Sequence, residues 1–130
     1  MKKLTAEWVR KAEADFAAAR QLADAAAPVN DPLCFHCQQT AEKYLKALLQ
    51  ELGIPIPKTH DLDLLLNLLL PQQPAMASLR RILNILTQYA VEYRYPGIHA
   101  TSRQAAAALR HGQRIREQAR RVLGLRAAKR

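Results

Sequence analysis

The chain has 130 residues, a net charge of +9, and a composition that is 49% hydrophobic but only 5% aromatic. Leu and Ala dominate and β-branched residues are sparse, which favours helix and argues against a strand-rich fold. Ten cationic and ten acidic residues cancel up to Tyr93, whereas from Arg94 onward ten cations stand against Glu117 alone, so the whole excess lies in the last third.

Five helices are predicted in chain order. The first spans about Thr5 to Ala26, with Thr5 as N-cap and Trp8, Ala12, Phe16, Ala19, Leu22, Ala23 and Ala26 on one face. Pro28, Asn30 and Asp31 break it, and Asp31-Pro32 reads as a new N-cap with proline at the first helical position. The second helix then runs to about Leu52, where Gly53 supplies the stop. Its inner face carries Cys34, Cys37, Gln38, Ala41, Leu45, Leu48, Leu49 and Leu52. Ile54-Pro55-Ile56-Pro57 must be extended, since each proline restricts the residue before it. A short third helix covers about Leu62 to Leu70. That apolar run is far below the roughly 20 residues needed to cross a bilayer, so no membrane partner is expected.

The fourth helix spans about Ala75 to Tyr93, with Leu79, Ile82, Leu83, Leu86, Ala90 and Tyr93 inward, and ends at Pro96-Gly97. Thr101 or Ser102 caps the fifth, which reaches about Leu123. Its apolar stripe is Ala105, Ala108, Leu109, Gly112, Ile115, Ala119, Val122 and Leu123. Arg103, Arg110, Arg114 and Arg121 stack on the opposite face as a basic surface. Gly112 inside the stripe predicts a close helix–helix approach. The expected fold is all-α: an antiparallel up-and-down bundle of four long helices plus one short helix. The expected domain is single, residues 1–130, with its core at about 5–123 and a basic tail at 124–130.

Polar residues on apolar faces mark the candidate sites. Asp15, Gln38, Glu42 and His60 are expected to form a buried polar network, because burying such groups unpaired is costly. Cys34 and Cys37 lack a second ligand pair and read as core thiols, so no metal is expected. No secretory signal precedes them, and a reduced, cytoplasmic setting is expected. His36 and Lys43 lie seven residues apart on an outer stripe, suited to an anion or a dimer contact. The basic last third points to a polyanion: nucleic acid, a nucleotide or an acidic protein. Arg94-x4-His99 is the sharpest local signal. An arginine can grip a phosphate bidentately, and a histidine can move the proton of an attacking 2′-hydroxyl without any metal or other cofactor.

The block CFHCQQTAEKYLKALLQELGIPIPKTHDL, followed by YRYPG, resembles a prokaryotic HEPN domain, and Trp8, Ala12, Asp15 and Phe16 fit the same pattern. The resemblance spans about Ala6 to Leu123. It implies a helical bundle that forms a homodimer and pairs with a small nucleotidyltransferase in toxin–antitoxin-like modules. It also implies an Arg-x4–6-His motif, matched by Arg94 and His99 as catalytic candidates for a metal-independent endoribonuclease. Tyr95 and Pro96 stand where nuclease members carry a polar residue, and Thr101 stands where one toxin branch carries a tyrosine. The RYP form resembles the branch for which nucleotide or partner binding is proposed. On that reading Arg94, Tyr95, His36 and Lys43 bind ATP or another nucleotide. Basic RNA binding through the arginine stripe is the third alternative.

Overall fold

A computed structural model describes residues 1–27 and 29–126. Pro28, part of the expected helix break, lies outside the described residues, as do positions 127–130 of the basic tail. The described residues form five α-helices and no strand: α1 (Lys3–Ala23), α2 (Asn30–Glu51), α3 (Leu62–Leu69), α4 (Arg80–Glu92) and α5 (Ser102–Val122).

Helix α2 is the axis of the bundle. It packs against α1, α3, α4 and α5, and α1 also touches α5. Its burial reflects that position: an almost unbroken run from Thr40 to Leu49 is inside, with only Lys43 half-exposed. Helix α1 contributes Thr5, Val9, Ala12, Phe16 and Ala19, alternately four and three residues apart, which is the period of one helix seam. Thr5 is therefore buried one turn inside the helix and is not its cap. Lys2 holds the N-cap position, with its backbone N–H donating to Glu51 Oε1 at 3.0 Å and its Nζ to the Gln50 carbonyl at 3.2 Å. The end of α2 thus satisfies the start of α1, a partner no local pattern reveals. Helix α1 stops at Ala23, short of the expected Ala26, because Ala25, Ala26 and Ala27 have nothing to pack on and stay exposed.

Asp31 is likewise not a cap. Val29 takes that position and Asp31 sits in the first turn of α2. There Asn30 Nδ2 donates to the Ala100 carbonyl at 3.2 Å, and Asp31 Oδ1 accepts the Ala100 N–H at 2.6 Å. The two side chains clamp both polar groups of one buried residue. Gly53, at φ 73°, closes α2 with paired bonds from Gly53 N to Gln50 O and from Ile54 N to Leu49 O, so the left-handed stop expected there is formed.

The expected helix from Ala75 to Tyr93 is two elements. Pro74–Leu79 is a tighter 3₁₀ turn that leads into α4. Pro74 opens it, and Met76 and Leu79, three residues apart, both bury: the three-residue period of a 3₁₀ turn eclipses those positions. Thr101 caps α5 through a reciprocal box with Gln104. Gly112 meets α2 at Cys37, as its place in the stripe suggested, but a Cβ built there would lie 3.6 Å from Cys37 Cβ, an ordinary contact.

Candidate functional site

A cleft of about 540 Å³ opens between α2, the start of α3 and the end of α4. Phe35, Gln38 and Gln39 line it from α2, His60 and Asp61 from the segment entering α3, Thr87, Ala90 and Val91 from α4, and Arg94 from the turn beyond. The sequence places them there in simple ways. Gln38 and Glu42 are one turn apart on α2. The Ile54–Pro57 segment, neither helix nor strand, leads the chain on to His60. Asp61 caps α3 by accepting from the N–H groups of Asp63 and Leu64.

Beneath the cleft lies a hydrogen-bonded carboxylate. Glu42 is only 4% exposed. Its Oε1 accepts from His60 Nδ1 at 2.8 Å and Gln38 Nε2 at 3.1 Å, and its Oε2 accepts from Lys46 Nζ at 2.9 Å. Burial by itself would raise the Glu42 pKa. The hydrogen bonds from Lys46, His60 and Gln38, with the Lys46 charge, outweigh it and hold the carboxyl below its ordinary range. Gln38 also donates to the His60 carbonyl at 3.3 Å, and Gln39 Nε2 donates to Gln38 Oε1 at 2.7 Å.

Of the four residues expected in one buried network, Gln38 and Glu42 are buried and bonded together, His60 joins them by Nδ1 and its carbonyl but keeps its ring 80% exposed, and Asp15 does not join. Asp15 faces the other flank of α2, where its two oxygens take His36 Nδ1, at 2.9 Å, and Lys43 Nζ. The reason is angular: position 15 lies on the edge of the α1 seam, next to Ala12 and Ala19 in sequence spacing, and meets the flank of α2 that carries His36 and Lys43, with its side chain 12% exposed. His36 and Lys43 are consequently half-buried and committed to Asp15, away from the cleft. Tyr95 is 63% exposed and does not line the cleft.

Arg94 and His99 diverge. Arg94 borders the cleft, and among the described residues no carboxylate pairs with it. His99 is outside the cleft lining, with its Nδ1 2.9 Å from Asp31 Oδ2 and most of its ring in solvent. Asp31 itself is held below its ordinary pKa, first by the Ala100 N–H and then by His99.

Arg103, Arg110, Arg114 and Arg121 are all exposed along α5. Arg110, Arg114 and Arg81 of α4 also surround His111, whose pKa is lowered by burial and then by those three charges. Arg116 belongs to neither group: it is 4% exposed and forms two hydrogen bonds to Glu13 at 2.6 and 2.8 Å. Tyr44 also donates to Glu13, and Arg120 donates to the Tyr44 hydroxyl at 3.2 Å. Arg116 follows Gly112 by four residues and precedes Ala119 by three, so its place in the apolar stripe was the signal for this buried pair. Phe35, Gln39 and Thr87 gave no such signal, because only the packing of α4 against α2 makes them neighbours.

Cys34 and Cys37 are fully buried, and burial pushes the Cys34 thiol up to about 11 and Cys37 higher still. Among the described residues no group of three or more His, Cys, Asp or Glu side chains is placed to hold a metal ion. No described helix is long and apolar enough to cross a membrane.

The family model for the HEPN domain matches residues 5–122. The crystal structure of an archaeal HEPN homologue, ST0689, is similar with a TM-score of 0.74 at 26% identity, over 95% of this chain and 99% of that one. The crystal structure of TT1696 from Thermus thermophilus is similar in fold with a TM-score of 0.80 at 23% identity, over 92% of this chain and 98% of that one. No curated protein matches significantly.

Proposed function

The chain belongs to the HEPN family, and we propose on that premise that it is a dimer-forming subunit whose Arg94 cleft binds a nucleotide and which engages a nucleotidyltransferase partner in a toxin–antitoxin-like module. The chemistry of the cleft carries this reading. A cation, an aromatic ring, two amides and a hydroxyl border one cavity of about 540 Å³, within the usual range for small-molecule sites. Arg94 suits a phosphate, Phe35 a stacked base, and Gln39 the base edge. Phe35, Val91, Tyr95 and Ile98 are large apolar side chains left exposed on and beyond the cleft rim, which suits a protein partner or a second copy. Calorimetric titration with ATP tests the cleft: Arg94→Ala is expected to weaken binding at least about tenfold, and His99→Ala to leave it unchanged. Absence of ATP binding at millimolar concentration would sink the nucleotide reading. Co-expression with an adjacent nucleotidyltransferase tests the partner, and failure to recover a complex at micromolar concentration counts against it.

One observation favours a second reading, a metal-independent endoribonuclease. The Asp31 carboxylate fixes His99 by its Nδ1, which leaves Nε2 to exchange a proton with a ribose hydroxyl; because His99 lies outside the cleft of its own Arg94, the phosphate is held by Arg94 of a second copy in this reading. Cleavage of RNA in EDTA, lost by about 10²–10⁴-fold in both Arg94→Ala and His99→Ala, would establish it. Equal cleavage by both variants and the parent chain would dismiss it.

A further inference from the structure

We propose that His60 is a second ligand for the phosphate held at Arg94, acting as an imidazolium that donates from Nε2–H while its Nδ1–H is anchored on the buried Glu42. This rests on the nucleotide reading of the same cleft and adds the residue that would make its anion binding depend on pH.

The geometry is specific. The His60 ring lines the cleft and is 80% exposed, yet its Nδ1 is fixed 2.8 Å from Glu42 Oε1. An ionised carboxylate can only accept, so Nδ1 carries a hydrogen and Nε2 is the nitrogen left for a ligand. Gln38 holds the His60 carbonyl as well, so both the backbone and the ring are positioned from α2.

The surrounding charges set the sign. On α2, Glu42 is already paired with Lys46, and the two cancel. At the start of α3, Asp61 spends one oxygen on the helix N–H groups and faces the positive end of that helix. From the end of α4, Arg94 adds one fixed positive charge. Neutral His60 therefore offers the cleft a lone pair, and protonated His60 offers it a second charged donor. Two cations on one cavity match the doubly charged terminal phosphate of a nucleotide, whereas a nucleoside without phosphate has no use for them.

The test measures binding of ADP, pyrophosphate and adenosine by the whole chain and by His60→Gln, at about pH 6 and pH 8. His60→Gln is the variant of choice because the ring is exposed and its loss leaves the core intact. For ADP and pyrophosphate the variant is expected to bind about tenfold more weakly at the lower pH and nearly equally at the higher, while adenosine shows no difference at either. Comparing variants at one pH cancels the titration of the ligand itself. Equal ADP affinity of the two chains at the lower pH overturns the role of His60 and leaves the nucleotide cleft standing. Pyrophosphate binding with this pH pattern, but no ADP binding, supports His60 and overturns the nucleotide reading. Binding of neither anion overturns both.

Discussion

Nδ1 of His99 lies 2.9 Å from Oδ2 of Asp31, although 68 residues separate them, and the other oxygen of that carboxylate accepts the Ala100 N–H. The two bonds are unequal in worth. Ala100 is buried, so Asp31→Ala would strand its N–H and is expected to cost about 1–3 kcal/mol. His99→Ala removes a mostly solvent-exposed partner and is expected to cost less than about 1 kcal/mol. Urea unfolding of the two variants checks this, and a larger loss from His99 would contradict it.

The Glu13–Arg116 pair makes a sharper prediction. Arg116 is buried and Glu13 is partly exposed. Removing Glu13 therefore strands a buried guanidinium, and Glu13→Ala is expected to cost about 3–5 kcal/mol. Arg116→Met returns Glu13 to water and is expected to cost less. The order of the two urea midpoints decides the matter.

The same pair shapes the response to pH. Burial opposes ionisation of Glu13, but the hydrogen bonds from Arg116 and Tyr44 and the nearby charges outweigh it, so its folded pKa lies below 4.5. A depressed carboxyl stabilises the fold above its unfolded pKa and loses that contribution as pH falls through the folded value. Tyr44 works in the opposite direction. Burial first, and then Glu13, push it up to about 12, so its contribution holds below pH 10 and fades as pH rises toward 12. The stability gap between the parent chain and Glu13→Gln is thus expected to narrow below about pH 4, read from urea titrations at successive pH values.

Gly112→Ala is expected to stabilise the chain by about 0.5–1 kcal/mol, because the added methyl meets Cys37 at ordinary contact distance and alanine is the better helix former. A lower thermal midpoint would mean that α2 and α5 cannot accept even that contact.

The exposed stripe Arg103, Arg110, Arg114 and Arg121 gives a salt test of the RNA-binding alternative. If all four contact a single-stranded phosphate backbone, log K falls against log salt with a slope of about −3, and each Arg→Ala change lowers the magnitude by about 0.7. A slope unaffected by removing the stripe would place any RNA elsewhere.

Much of the fold can be read from single residues. The seam spacing of α1, the left-handed helix stop at Gly53 and the Thr101 box are local consequences of side-chain shape and backbone freedom. So are the burial of Cys34 and Cys37 and the exposure of the arginine stripe, because helical period alone sorts those positions. Arg94 was marked by its place just beyond a helix end. The tertiary structure decided what these residues meet. It sent Asp15 to His36 and Lys43 and kept Gln38, Glu42 and His60 together. It turned Asp31 from a cap into the clamp on Ala100, brought Glu51 to the start of α1, and set Phe35 and His60 beside Arg94 while leaving His99 outside. Periodicity fixes a side chain's angle about its own helix axis. The partner it reaches depends on how five axes cross, which is set by the collective burial of many apolar side chains rather than by any one residue.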